Sequence, residues 1–454
     1  MTDPANRPPS VEVLLSHESL ASLVGDLGRP VVAELVRAEI AALRHEIGTG
    51  ERWPGACAIA DRVKTRARRQ QRQFPQRVIN ATGVLIHTNL GRAPYGPHLL
   101  TELTRRLAGY LSLEYDLDRG TRGKRGVATE QLLAELAGAE AALVVNNNAA
   151  AVYLALSALA WNRDVVISRG ELVQIGGGFR IPEILAKSGA VLREVGTTNQ
   201  TSLQDYERAC DPNTALIMKV HRSNFVQTGF VAEVEPKDLA ALGRKRGIPV
   251  LWDLGSGAVG PGAKCEYTGE PTLRAAIKTG VDLVTASGDK LLAGPQAGII
   301  LGKRELTQRL RSDPFYRAMR PDKATLVALE VAVSAHLARR AEQLLPVYRM
   351  AATPLDALRA LARELAKIAA GAGWKADLVE TADTFGGGSA PGMTMPGAGV
   401  RISGPLSATE IAARARAFDP PIIGIVTDDA FVLAVRTVSG QDQADLVRFL
   451  QAKP

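Results

Sequence analysis

The chain has 454 residues, 46% of them apolar and 22% charged, which excludes a wholly disordered or collagen-like chain. At roughly 100–200 residues per domain, this length predicts two to four domains. The net charge of +8 is modest but permits a polyanionic partner. Cys57, Cys210 and Cys265 are the only cysteines. An odd, scattered set forms neither a disulfide framework nor a metal-ligand spacing, and predicts idle thiols in a reducing compartment. The start shows no basic segment followed by an apolar core, so no signal peptide is expected. The longest uncharged stretches, 141–162 and 384–400, carry Asn or many Gly and do not read as membrane spans.

In chain order, Leu20, Leu23 and Val24 suggest a short helix ending near Gly28. Val32, Leu35, Val36, Ile40 and Leu43 then fall at helical spacing behind Pro30. A basic run follows, with Arg62, Lys64, Arg66, Arg68, Arg69, Arg72 and Arg77 and no acid between its ends. It reads either as a solvated linker helix or as a surface for a phosphate backbone. Beyond it, apolar strands are expected at 142–145, 164–167, 191–195, 215–220, 250–253, 283–287 and 298–301. Helices are expected between several of them, at 129–136 and 149–159 for example. Strands alternating with helices argue for a mostly parallel sheet covered on both faces, with ligands at the carboxyl ends of the strands. The remainder opens with Ala/Leu helices and passes through a Gly-rich stretch, 386–399. It closes with a helix that Ser407 and Glu410 can cap, a strand near 431–435 and a last helix from about Gln441. The predicted domains are a small helical unit (1–70), an α/β domain (71–330) and a smaller α+β domain (331–454).

The chemistry concentrates at three strand ends. In Thr285-Ala-Ser-Gly-Asp-Lys290, a lysine follows a strand and is fenced by Gly and apolar residues. Desolvation there disfavours the ammonium and leaves a nucleophilic amine, the requirement of a Schiff-base lysine. In Val250-Leu-Trp-Asp253 an aspartate ends the preceding strand. A pyridoxal phosphate (PLP) enzyme needs such a carboxylate against the pyridine nitrogen, though a helix N-cap has the same appearance. Asn146, Asn147 and Asn148 run from strand into helix and offer amides and free N–H groups to a cofactor phosphate, with Ser287 as a further hydroxyl. Gly176-Gly-Gly178 is no dinucleotide fingerprint. Phosphate loop, acidic strand end and lysine turn, in this order, resemble the fold type I PLP enzymes of the aminotransferase kind.

Longer segments are more specific. Arg77-Val-Ile-Asn-Ala-Thr-Gly-Val-Leu-Ile-His-Thr-Asn-Leu-Gly-Arg-Ala-Pro94 resembles the signature of bacterial selenocysteine synthases, the L-seryl-tRNA(Sec) selenium transferases. Lys219-Val-His-Arg-Ser-Asn-Phe225, Trp252-Asp-Leu-Gly-Ser-Gly257, the segment from Ser287 to Gly298, Tyr316-Arg-Ala-Met-Arg-Pro-Asp-Lys323 and Arg436-Thr-Val resemble later blocks of that family. The resemblance implies an aminotransferase-like, fold type I α/β enzyme with PLP on Lys290 and Asp253 as pyridinium partner. It implies β-elimination of the seryl hydroxyl and addition of selenium from selenophosphate held by Arg92, Arg317 and Arg320. Guanidinium forks suit a small phosphorus oxyanion. His221 and Asn224, just past a strand end, are candidates to contact the cofactor ring or its O3′. The resemblance further implies tRNA(Sec) bound through the N-terminal domain, a cytoplasmic location and a homo-oligomer. That oligomer would be a ring of dimers, a decamer, with active sites at subunit interfaces. Two departures stand out: Ile425, where the family pattern leads to an arginine, and the Gly-rich 386–399 stretch. Neither is expected to touch the catalytic groups. The alternative is a PLP-dependent β-eliminating lyase for a small amino acid or amino sugar phosphate, which has no use for the basic N-terminal unit.

Overall fold

The computed structural model describes residues 8–47, 53–71, 74–175, 178–260, 270–427 and 429–454; Arg72, Cys265, Gly176 and Gly177 lie outside them, as does most of the opening segment. The chain divides into two compact units, Met1–Arg77 and Val78–Pro454.

In the first unit a short helix, Ala21–Leu27, ends at Gly28, whose φ of +81° suits a residue without a Cβ. Helix α1 (Arg29–Glu46) starts with Pro in its first turn, and α2 (Ala56–Gln71) packs against it through Val32, Val36, Ile59 and Val63. The basic run belongs to α2, but two of its arginines turn inward. Arg62 Nε and Arg66 Nε each donate to Glu39, at 2.6 Å, and Arg62 also pairs with Glu46 at 2.8 Å. The reason is spacing: positions 62 and 66 flank the apolar stripe of Ile59 and Val63, so both guanidinium groups reach the buried Glu39. Burial alone would raise the Glu39 carboxyl, but the bonds from Arg66 and Arg62 outweigh it and hold it below its ordinary value. Arg68 and Arg69 remain exposed.

The second unit is built on a seven-stranded sheet. Its strands are β1 (Ala141–Val145), β2 (Asp164–Ser168), β3 (Val191–Val195), β4 (Thr214–Val220), β5 (Val250–Gly255), β6 (Leu283–Ser287) and β7 (Gly298–Gly302), in spatial order β1-β7-β6-β5-β4-β2-β3. All neighbours are parallel except β7, which runs against both β6 and β1. The strands are short, continuous apolar runs because both faces are covered. Val144, Ile217, Trp252 and Ile299 join one core; Leu143, Met218, Leu251 and Ile300 join the other. β7 is antiparallel because only the tight Gly288–Ala297 turn separates it from β6, too short for a crossover.

A second sheet, β8 (Lys375–Thr384), β9 (Thr394–Ser403), β10 (Ile425–Val426) and β11 (Phe431–Ala434), has the order β8-β9-β11-β10 and packs on helix Leu355–Gly371. Ser407 and Glu410 form the predicted capping box on helix Ala408–Ala417. Ile425 sits half-exposed on the short edge strand β10. The segment after Arg77 is a lacing segment that runs along the second sheet and reaches the turn after β6, where the Ala93 N–H donates to Asp289 O at 3.2 Å. Ile79–Asn80 pairs in parallel with Ile422–Ile423, Thr82 bridges to Ala434 and Val84 to Thr384. The chain is thereby led to the carboxyl ends of β5 and β6.

Candidate active site

A cavity of about 490 Å³ opens at those strand ends, lined by Arg92, Asn147, Asn148, His221, Asn224, Asp253, Ser287 and Lys290, among others. β6 ends at Ser287 and the next turn presents Lys290, 7% exposed. Burial first, and then the Arg92 guanidinium, lower its amine below the ordinary lysine value; Asp253, Asp289 and Glu270 pull the other way without prevailing. The amine is thus biased toward its neutral, nucleophilic form.

Asp253 lies in register with Thr285 of β6 and Val220 of β4. Its Oδ1 accepts from Asn148 Nδ2 at 2.8 Å and from Thr285 Oγ1 at 2.9 Å. Burial raises its carboxyl above the ordinary value, because these two donors are neutral and offset only part of the cost. A buried carboxylate so placed calls for a proton-bearing partner, which a pyridine nitrogen can provide.

The three asparagines divide their work. Asn147 caps helix Asn148–Ala160, its side chain accepting from the Ala150 N–H at 2.9 Å. Asn148 turns its amide to Asp253, and its own Oδ1 is buried without a hydrogen bond among the described residues. Asn146 is exposed, outside the cavity lining, and its backbone N–H donates to Met319 O. The helix N-terminus and the Ser287 hydroxyl remain as an anion site. The unpaired Asn148 Oδ1, the buried Asp253 and the neutral-leaning lysine together fit PLP.

Arg92 enters from the lacing segment with a left-handed backbone, φ +63°, strain of about 1–3 kcal/mol for a non-glycine residue. Its Nη1 donates to Asp289 Oδ2 at 2.8 Å. Arg317 and Arg320 do not join it within one chain. They line a second cavity with Arg122, Lys124, Arg125 and Arg311, where Arg320 lies 3.7 Å from Glu114. Helix Tyr316–Met319 is a single turn that Arg320 ends, and neither arginine lines the Lys290 cavity. Beside that basic pocket, burial pushes Glu130 up to about 7 in spite of its ion pair with Arg311.

One expectation needs correction. The Gly-rich 386–399 stretch does touch the catalytic groups: Gly387 and Gly388 line the cavity, and a Cβ on Gly388 would stand 2.8 Å from Lys290 Nζ. Glycine is there because any side chain would occupy the lysine's space. Asn224 lines the cavity as expected, and its Nδ2 donates to Gln174 O at 2.9 Å. Sequence reasoning missed Asp289, which stood inside the lysine segment. It also missed Glu270, an acid in an otherwise unremarked loop, whose Oε2 lies 3.3 Å from His221 Nε2.

A sheet with the cofactor lysine on the turn after one strand and a buried aspartate on its parallel neighbour defines the fold type I, aminotransferase-like class of PLP-dependent enzymes. A solved D-glucosaminate-6-phosphate ammonia-lyase shares the fold, with a TM-score of 0.61 at 21% identity, covering 84% of this chain and 96% of that one. The sequence profile of L-seryl-tRNA selenium transferase matches residues 78–439, and that of the selenocysteine synthase N-terminal region matches residues 9–44. The chain is 47% identical over 382 residues to the L-seryl-tRNA(Sec) selenium transferase of Aquifex aeolicus, covering 83% of this chain and 84% of the relative. It is 42% identical over 455 residues to that of Geobacter sulfurreducens, covering 98% of each. The chain belongs to the L-seryl-tRNA selenium transferase family.

Proposed function

We propose that the chain converts L-seryl-tRNA(Sec) to L-selenocysteinyl-tRNA(Sec), expelling the seryl hydroxyl and adding selenium from selenophosphate. The observation that carries this reading is the Lys290 amine, buried at the strand ends close to Asp253 and biased toward its neutral form. When bound, PLP supplies an electron sink for the carbanion at the seryl Cα. Lys290 would hold the cofactor, and its amine, when free, would remove the seryl Cα proton. Asp253, held by Asn148 and Thr285, would keep a proton on the ring nitrogen. The N-terminus of helix Asn148–Ala160 and Ser287 would receive the phosphate. Among the described residues no helix is long and apolar enough to cross a membrane. The proposed place of work is the cytoplasm, where charged tRNA is found.

Arg92, Arg317 and Arg320 are proposed to hold selenophosphate. Within one chain they line two different cavities. The reading therefore requires a second copy to bring its Arg317 and Arg320 to the first copy's Lys290, which suits a homo-oligomer built from dimers. The domains proposed for these tasks are 1–70 for the tRNA, 71–330 for the cofactor and 331–454 as the smaller α+β domain.

Selenium transfer is measured as selenocysteine released from tRNA(Sec) after ester hydrolysis. The wild-type protein is expected to form it, whereas Lys290→Ala and Arg320→Ala each fail. Co-expressed, the two variants are expected to recover about a quarter of wild-type activity, because half of randomly paired dimers hold one intact composite site. No product from the wild type would contradict the function; no recovery in the mixture would contradict the shared site.

A further inference from the structure

His221 follows β4 directly, and its backbone is fixed: its N–H donates to Asp253 O at 2.8 Å and its carbonyl accepts from Ser223 N at 2.9 Å. The imidazole is one-fifth exposed and lines the cavity that holds Lys290. Behind it stands Glu270, its side chain 1% exposed, with Oε2 at 3.3 Å from His221 Nε2. Glu270 Oε1 is buried and has no hydrogen bond among the described residues. His221 Nδ1 likewise has no partner among them. The next charged groups are accounted for elsewhere. Lys219 is bound by Glu171 and Glu233 at 3.0 Å each, and Arg222 lies 3.5 Å from Glu233.

A fully buried carboxylate on one imidazole nitrogen orients the ring and fixes its tautomer. When the ring carries both protons, the other nitrogen is left to donate one into the cavity. The β-elimination needs such a donor. Hydroxide is a poor leaving group, and Lys290, having accepted the Cα proton, is committed to that position until the proton returns there. Asp253 is engaged by Asn148 and Thr285, and Asp289 by Arg92.

We infer that His221 is the general acid that protonates the departing seryl hydroxyl and that Glu270 is its positioning residue. The inference rests on the selenium-transfer reading. The Cα–H bond breaks as its proton passes to the Lys290 amine. The Cβ–O bond breaks with its electron pair on oxygen, which takes the His221 proton and leaves as water. Selenophosphate adds through its selenium at Cβ as the Lys290 proton goes back to Cα; water then breaks the P–Se bond, releasing phosphate and leaving the selenol, and His221 regains a proton from solvent.

The test varies the leaving group. The PLP-loaded His221→Gln and Glu270→Gln variants are compared with wild type on tRNA(Sec) charged with serine and with 3-chloroalanine, whose chloride needs no proton to depart. Both variants are expected to lose about 100-fold or more on the seryl substrate, the usual scale of general-acid catalysis, and to stay within a fewfold of wild type on the chloroalanyl one. Equal losses on both substrates would overturn the proposal in favour of a merely structural or cofactor-holding role, and unimpaired seryl turnover would overturn it outright. A wild type inactive on both substrates would instead defeat the selenium-transfer reading. A second readout needs no cofactor or turnover. In cofactor-free protein with labelled histidine, the His221 imidazole, identified among the six histidines by its loss in His221→Gln, is expected to show a hydrogen-bonded Nε2 proton in wild type that Glu270→Gln loses or weakens. An unchanged Nε2 signal would show that Glu270 does not act on the ring.

Discussion

Lys290→Ala is expected to abolish selenium transfer and leave tRNA binding within about twofold of wild type. The amine carries two duties in this account, holding the cofactor and moving the Cα proton. Loss of a general base alone costs about 10²–10⁴-fold in rate. Losing the attachment as well takes turnover below detection. The substitution removes a 7% exposed side chain from a cavity wall already shaped by glycine at 388, so the fold tolerates it. The tRNA reading assigns carrier binding to a different compact unit, Met1–Arg77. Turnover is followed with labelled selenium and binding by filter retention of the charged tRNA. Full turnover by the variant would end the scheme.

Arg436→Met is expected to destabilise the second unit by about 3–5 kcal/mol, the usual loss when one partner of a buried ion pair is removed. Arg436 Nε donates to Asp383 Oδ2 at 2.7 Å, and the two side chains are 3% and 1% exposed. Its remaining donors reach the carbonyls of Met350, Ala351, Thr353 and Pro396. Among the described residues, the substitution takes the only charged donor from Asp383, which keeps just the Thr381 hydroxyl, and removes one donor from each of four carbonyl oxygens in the junction between β8, β9 and helix Pro346–Ala352. Adding Asp383→Leu should return part of the loss, because the uncompensated charge then disappears. Urea unfolding of the three variants against wild type measures both effects. A single-variant loss under about 1 kcal/mol would show that the pair is not the anchor its burial suggests.

The central sheet was legible because its strands are buried on both faces. Such strands read as apolar runs bounded by turns, and all seven expected runs are strands. The direction of β7 lay not in its apolar run, which has the same composition whichever way it points, but in the shortness of the Gly288–Ala297 connector. The cavity was legible wherever a residue type fits its chemistry at a strand end: Lys290, Asp253, the Asn147–Asn148 pair and Ser287 all line it. Glu270 was not, because a lone acid in a loop carries no pattern, and its significance arises only from burial against His221. Gly388 escaped for a related reason. Its value lies in the atoms it lacks, and only the approach of Lys290 reveals it. The pairing inside the basic run was not legible, because a count of charge carries no direction: Glu39, more than twenty positions away, binds Arg62 and Arg66. Arg317 lies in a single helical turn and Arg320 in the extended residue that ends it, and both line another cavity, which residue type alone did not reveal.

The most direct test of the central claim is an absorbance titration of the PLP-loaded protein with serine-charged tRNA(Sec), using serine-charged tRNA(Ser) and free serine as controls. The account predicts that the cofactor band shifts with charged tRNA(Sec) alone, because the seryl amine must displace Lys290 and the carrier must be selected. A shift with free serine or another small amine, and none with charged tRNA(Sec), would contradict it and assign the cavity to a small-molecule lyase.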